Sequence, residues 1–208
     1  MQRMLRAAGT ALAAGGALSA AAAGAKAFVD TTEPSAGLTA VATAEAAGAV
    51  LMMLGLPVWY VVQAGRAGKL GVAGFLMTFV GWATLQLGTV PLYSFLAPAL
   101  YARPGNEELA APGGLDEVST GFLVYVSVGL IALNLGILLF GIATIRARVF
   151  PRPLAWFVTL APLAIFIPVV EAAAISLVLA GIGACGLLVA MDRVRTPGMP
   201  AEPAAVAG

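Results

Sequence analysis

The sequence predicts an all-α protein: an integral membrane bundle of about six transmembrane helices, with the N-terminus and the C-terminus cytoplasmic. Three observations carry that expectation. Of the 208 residues 61% are hydrophobic and only 10% charged, whereas a water-soluble domain is about 25% charged. Apolar runs near the roughly 20 residues that a spanning helix needs recur along the chain. The basic residues between those runs alternate from side to side, as cytoplasmic loops rich in Lys and Arg require.

The first segment is about 7–29, rich in Ala and Gly, and follows Arg3 and Arg6. Two readings stay open for it. The early arginines and the Ala25-Lys26-Ala27 step fit a cleaved leader. Its length, and a small-residue stripe of Gly16, Ala20 and Gly24, fit a retained helix built for close packing. Segment two is about 38–64, segment three about 70–98 and segment four about 120–145. Segments five (about 153–168) and six (about 170–191) are separated only by the region of Pro168 and Glu171. They form a hairpin rather than one helix, because about 38 residues would make a helix of about 57 Å against a ~30 Å hydrocarbon core. Residues 1–195 thus make one transmembrane domain. An irregular outside loop spans 99–119, with a short helix expected near 107–111, and 196–208 reads as a disordered tail.

Sidedness follows from charge. With the N-terminus inside, Arg3, Arg6, Arg66, Lys69, Arg146, Arg148, Arg152, Arg193 and Arg195 are all cytoplasmic. Lys26 and Arg103 fall outside, among Asp30, Glu33, Glu107, Glu108, Asp116 and Glu117. A nine-to-two split also checks the helix count, since one missed helix would scramble it. The preference for Arg over Lys, with abundant Ala and Gly, is the composition expected of a GC-rich bacterial genome, and so of a bacterial plasma membrane. Two basic turns followed by small and then aromatic residues, 64–75 and 147–157, hint at an internal duplication.

Composition also removes function classes. Histidine is absent, and with it the commonest haem ligand, metal ligand and general base. One cysteine, Cys185, excludes an internal disulfide or a Cys-ligated cluster within one chain, and reads as a packing residue. A net charge of +1 gives no basic surface for nucleic acid. No cluster of acid, base and nucleophile appears, so no catalytic, cofactor or metal residue is assigned, no cofactor is expected, and the chain is read as not an enzyme.

The run Gly136-Ile-Leu-Leu-Phe-Gly-Ile-Ala-Thr-Ile-Arg-Ala-Arg-Val-Phe-Pro-Arg-Pro-Leu-Ala-Trp156 resembles a segment of small multi-pass membrane proteins of actinobacteria, a family of unknown function. A glycine-rich helix there ends in an Arg-containing turn, and a Leu-Pro-Arg-Trp-like step opens the next helix. The resemblance implies a membrane fold and no particular activity or site.

The polar residues inside the spans remain. Glu45 lies about seven residues into segment two, roughly 10 Å along it. It is either an intramembrane site in need of a partner or an acid in wet interface, if the helix starts late with Thr43 as its cap. Gln86 and Asn134 fall near the midpoints of segments three and four, where their amides can meet across an interface. Glu171 opens segment six, a favourable place for an acid, and Gln63 is expected to reach water. Trp59, Tyr60, Trp156 and Phe157 fit an aromatic belt. Glycines 129 and 136 share one face, and Gly181 with Cys185 and Ala180 with Ala184 give segment six a small face. Pro57, Pro91 and Pro162 each remove a backbone hydrogen bond. The expected role is a structural or accessory subunit of a membrane complex, contacting lipids, other membrane subunits or a second copy. The alternative is a small-solute or proton-coupled transporter using Glu45 and the midplane amides.

Overall fold

The computed structural model describes residues 1–31, 33–89, 92–106, 120–166 and 171–194, apart from the side chains of 87, 161, 165, 166, 171 and 172. Seven α-helices and no strand occur among the described residues: α1 (Gln2–Lys26), α2 (Ala36–Val61), α3 (Ala64–Trp82), α4 (Ala97–Tyr101), α5 (Thr120–Ala147), α6 (Arg152–Leu160) and α7 (Glu171–Ala190). Two π-helical stretches, Ala83–Thr89 and Leu92–Leu96, continue α3 toward α4, and a 3₁₀ stretch, Ala161–Phe166, continues α6. Five helices are long and apolar enough to cross a membrane, and the protein is an all-α membrane bundle.

Between helices in lipid there is little hydrophobic drive, so association rests on close packing. The sequence supplies it with glycine. The α1–α2 seam is antiparallel: a methyl group on Gly15 would lie 2.7 Å from Gly48 O, and one on Gly55 2.7 Å from Ala8 O. On its other side α1 runs antiparallel to α7, where a methyl on Gly16 would lie 2.6 Å from Gly183 Cα and one on Gly186 2.7 Å from Gly9 O. A third seam joins α3 and α5, with Gly74 against Phe140 and Gly136 against Met77 and Thr78. Gly129, on the same face as Gly136, meets Thr84 and Leu85 of the first π stretch. In α7 the seam uses Gly183 and Gly186, while Gly181 faces Phe157 and Val158 of α6 and Ala180 is exposed, so the expected Ala180–Ala184 face is not the packed one.

These seams fix the path. The start of α1, the α2–α3 turn, the end of α5, the start of α6 and the end of α7 share one end of the bundle. The described segments therefore make six passages between the two ends, five of them by helices long and apolar enough to cross a membrane. The fifth passage corrects the expectation of a full helix over 153–168: nine α-helical residues and six 3₁₀ residues rise about 25 Å together. Pro162, which cannot donate a backbone hydrogen bond, lies in the 3₁₀ stretch. Pro168, the acids at 107–117, the helix expected near 107–111, Pro91 and the tail lie outside the described residues. Unlike α3, the helix after the second basic turn is short, so the two turns lead into unequal elements.

Eight of the nine basic residues assigned to the inside, Arg195 lying beyond the described chain, gather at the end holding the N-terminus. There the helices close with left-handed caps. α7 ends in a Schellman turn, with Arg193 N–H donating to Leu188 O (2.9 Å), Asp192 N–H to Val189 O (3.1 Å) and Asp192 at φ 52°. Arg148, at φ 54°, closes α5 by donating its N–H to Thr144 O at 3.2 Å. Near the start of α3 a kink falls at Gly68, at φ 58°, a conformation that only glycine adopts freely.

The two halves meet through aromatic rings. Trp59 of α2 packs on Phe140 of α5 with centroids 4.6 Å apart, and Tyr60 stacks on Phe75 of α3 at 5.0 Å. Trp59 is fully buried, which corrects its placement in an aromatic belt, whereas Trp156 and Phe157 are exposed on α6. Cys185 is fully buried, and Trp82 is buried beside the same core.

Substituting Gly16→Ala puts a methyl into the Gly183 backbone. The expected loss is about 1–3 kcal/mol in reversible detergent unfolding, while Gly65→Ala, with open space around it, leaves the midpoint nearly unchanged.

Candidate functional site

Glu45 is the acid that the packing brings into the interior. Ser35, not Thr43, caps α2: its Oγ accepts the N–H of Leu38 at 3.0 Å, and the helix starts at Ala36. Glu45 then lies about 14 Å along a helix of about 39 Å. It is buried, its side chain 11% exposed, so the wet-interface placement is set aside.

Its partner is Lys26, the last residue of α1, whose Nζ forms an ion pair with Glu45 Oε2. A cation at a helix C-terminus is favoured by the helix dipole. The lysine side chain is 30% exposed, its apolar stem covering the seam while its head reaches outward. The same Nζ lies 3.5 Å from Ser94 Oγ of the second π stretch, a buried residue. Three elements thus converge on one ion pair: α1, α2 and the π-helical segment after α3.

That segment is held from the other side by α5. Tyr125 donates its hydroxyl to Thr84 O at 3.2 Å, and a methyl on Gly88 would meet the Tyr125 ring, 3.2 Å from Cζ. Tyr93 and Tyr125 both pack against Phe122. π-helical turns are uncommon and concentrate at functional sites, and this one borders the buried ion pair.

The other candidates lie elsewhere. Gln86 is half-buried in the first π stretch. Asn134 turns its amide back to Leu130 O of its own helix at 2.9 Å; it does not bond the Gln86 amide across the seam. Thr78, Thr144 and Thr159 likewise donate to carbonyls one turn back. In lipid such a bond satisfies a hydroxyl that has no water. Glu171 opens α7; its side chain lies outside the described residues.

Gln63 departs from expectation. It is fully buried in the α2–α3 connection, and neither amide atom has a hydrogen-bond partner. Its backbone carbonyl starts α3, accepting from Arg66 and Ala67 at 2.8 and 2.9 Å. Buried Ser19 Oγ and the indole N–H groups of Trp59 and Trp82 are unpartnered too. The residue missed by sequence reasoning as part of a site is Lys26, whose signal was its place at the last turn of a helix antiparallel to α2. Among the described residues no group of three His, Cys, Asp or Glu could hold a metal ion.

At the opposite end Asp192 forms a clasp. It accepts from Arg6 Nε at 2.8 Å and Gln2 Nε2 at 3.2 Å, and Arg6 Nη2 pairs with it too. The clasp ties the start of α1 to the end of α7. The Arg6 hydrogen bond lowers the Asp192 carboxyl below its ordinary value of 3.8.

Comparison of the chain with family models, with curated proteins and with solved structures finds no match.

Two predictions follow from the charges. Lys26→Met strands a buried carboxylate and is expected to cost about 2–3 kcal/mol, below the full penalty of a wholly buried pair, while Lys26→Met with Glu45→Leu regains most of it. Detergent unfolding of the three variants measures this, and additive losses would show that the pair is not coupled. A depressed carboxyl contributes stability above its unfolded value and loses it as pH falls through the folded one. The melting-temperature gap between the native chain and Asp192→Asn should therefore be constant from about pH 5 to 8 and close below about pH 4.

Proposed function

We propose that this membrane protein is a non-enzymatic structural or accessory subunit of a larger membrane complex, in a bacterial plasma membrane with both termini cytoplasmic. The observation that carries the reading is the outer face of α5. Val124, Val128, Ile131 and Leu135 follow one another at four-, three- and four-residue steps and are all exposed. That spacing makes one straight apolar stripe, the pattern a partner helix packs against. It leaves the opposite side of the helix free for Gly136 to meet α3 and for Gly129 to meet Thr84 and Leu85 of the first π stretch. Two of the polar groups within the spans are meanwhile committed to internal partners, Glu45 to Lys26 and Asn134 to its own helix. The small residues of α1, spent on two seams at once, favour its retention as a helix.

A second reading rests on one specific observation, the Lys26–Glu45 pair beside the π-helical stretches. Transporters place ionisable groups next to interrupted helices. In that reading Glu45 carries a proton- or cation-coupled step for a small neutral solute.

Native mass spectrometry of the protein released gently from its own membrane separates the two. The expected result is a stoichiometric complex with other membrane subunits, lost when Val128 and Ile131 are replaced by Trp. Appearance alone, with a bound small molecule, and loss of solute flux in Glu45→Gln vesicles at unchanged melting temperature, would put the transporter reading first.

A further inference from the structure

The arginine end of the bundle opens a cleft of 660 Å³ lined by Arg66, Arg146, Arg148, Arg152 and Trp156. Arg66 is partly engaged, donating from Nη1 to Ala147 O at 3.4 Å over the C-terminus of α5. Among the described residues the acid at this end is Asp192, and the Arg6–Gln2 clasp already holds it. The cleft therefore gathers four guanidinium groups, and among the described residues no carboxylate is left to pair with them.

Two of these arginines sit where local structure works against them. Arg148 takes the left-handed position after α5, which glycine usually fills. Arg152 is the first residue of α6, where the positive end of the helix dipole disfavours a cation. Side chains that break local rules without an internal gain mark positions held for something outside the helix.

Trp156 also belongs to a second hollow, a groove of 580 Å³ between α6 and α7 walled by Pro153, Phe157, Leu160, Ala174 and Leu177. Its lining is almost wholly apolar. From Pro153 to Ala164 it runs about 18 Å along the α-helical and 3₁₀ residues, about the depth of one leaflet. A cationic cleft at the water boundary thus passes, through one half-exposed tryptophan, into an apolar channel of acyl-chain length.

The geometry points to a binding site for an anionic phospholipid. Its phosphate lies among Arg146, Arg148 and Arg152, and one acyl chain lies along α6 and α7. Guanidinium groups suit phosphate oxygens because they donate in a planar fork. Basic pockets between helices on the positive side of a bundle select such headgroups. Trp156 stands at the junction, where an indole has its apolar body in the chain region and its N–H toward the headgroups.

The test uses the full-length protein in detergent. It is offered an equal mixture of phosphatidylglycerol and phosphatidylcholine with identical chains, and the retained lipid is weighed by native mass spectrometry. Phosphatidylglycerol should be preferred by about fivefold for each arginine engaged. Arg148→Gln with Arg152→Gln should erase the preference while the lipid-free melting temperature holds or rises, a result that a merely structural role would not give. Phosphatidylglycerol with brominated chains should quench the native tryptophan fluorescence and leave Trp156→Phe unquenched. Equal retention of the two lipids, or a preference that survives the double substitution, overturns the proposal. So does displacement of phosphatidylglycerol by inorganic phosphate at similar concentration, since the site would then read a free anion and not a lipid.

Discussion

Backbone-to-backbone approach at glycine is the constraint on which the rest of this bundle depends. In lipid the tails are as apolar as leucine, so the gain from pairing helices is dispersion, which falls off steeply once a side chain intervenes. Three seams work this way, α1–α2, α1–α7 and α3–α5, and in each a methyl on glycine would press on the opposite backbone. Helix α1 takes part in two of them. It presents Gly15 and Ser19 to α2 and Gly9 and Gly16 to α7, so a helix of low hydropathy becomes the element that both neighbours need. Weak affinity for lipid and strong affinity for helices are the same property of an Ala/Gly sequence.

The seams also determine which polar groups meet. Because Gly15 lies at Met52 and Ser19 at Gly48, the antiparallel register carries the last turn of α1 to the level of Glu45. Lys26 then has the carboxylate within reach without leaving its helix, and its exposed head lowers the desolvation that makes fully buried pairs costly. The π-helical stretches complete the enclosure: their wider turns bring Ser94 toward the lysine and Thr84 O toward Tyr125. Packing came first in this arrangement, and the ion pair is its consequence.

This explains what was legible in the sequence and what was not. Membrane class, helical class and the grouping of basic residues at one end follow from composition and from charge between apolar runs, properties that do not depend on which helices touch. Pairing does depend on it. Glu45 stood out as an acid in a span, but its partner looked like an outside lysine until the α1–α2 register was known. Gln63 and Trp59 were assigned to the boundary by distance along the helix. Yet Trp59 packs on Phe140 of α5 and Gln63 is fully buried in the short α2–α3 connection, so burial follows from the fold and not from depth. Segment five had the apolar length of a span but not the backbone to match, since a helix followed by a 3₁₀ run has the same composition as a continuous one. Amides such as Asn134 have a carbonyl one turn back always within reach, so a bond across helices is never implied by their position alone.

The two ends of the bundle treat charge in opposite ways, and the helix caps bring out the difference. Asp192 and Arg148 both occupy left-handed positions that cost an ordinary residue about 1–2 kcal/mol. For Asp192 the compensation is visible within the chain: Arg6 and Gln2 bind its carboxylate, and the Schellman turn satisfies the last carbonyls of α7. Arg148 closes α5 with the same backbone geometry, but its side chain projects into a cleft of other arginines. Mutual repulsion there adds to the conformational cost instead of offsetting it. At the far end, by contrast, Lys26 is paired and lodged among three elements. A chain that pairs its half-buried lysine, and among its described residues leaves a cluster of surface cations uncompensated, favours an anion from outside itself, and at a membrane boundary the nearest supply is the headgroup layer.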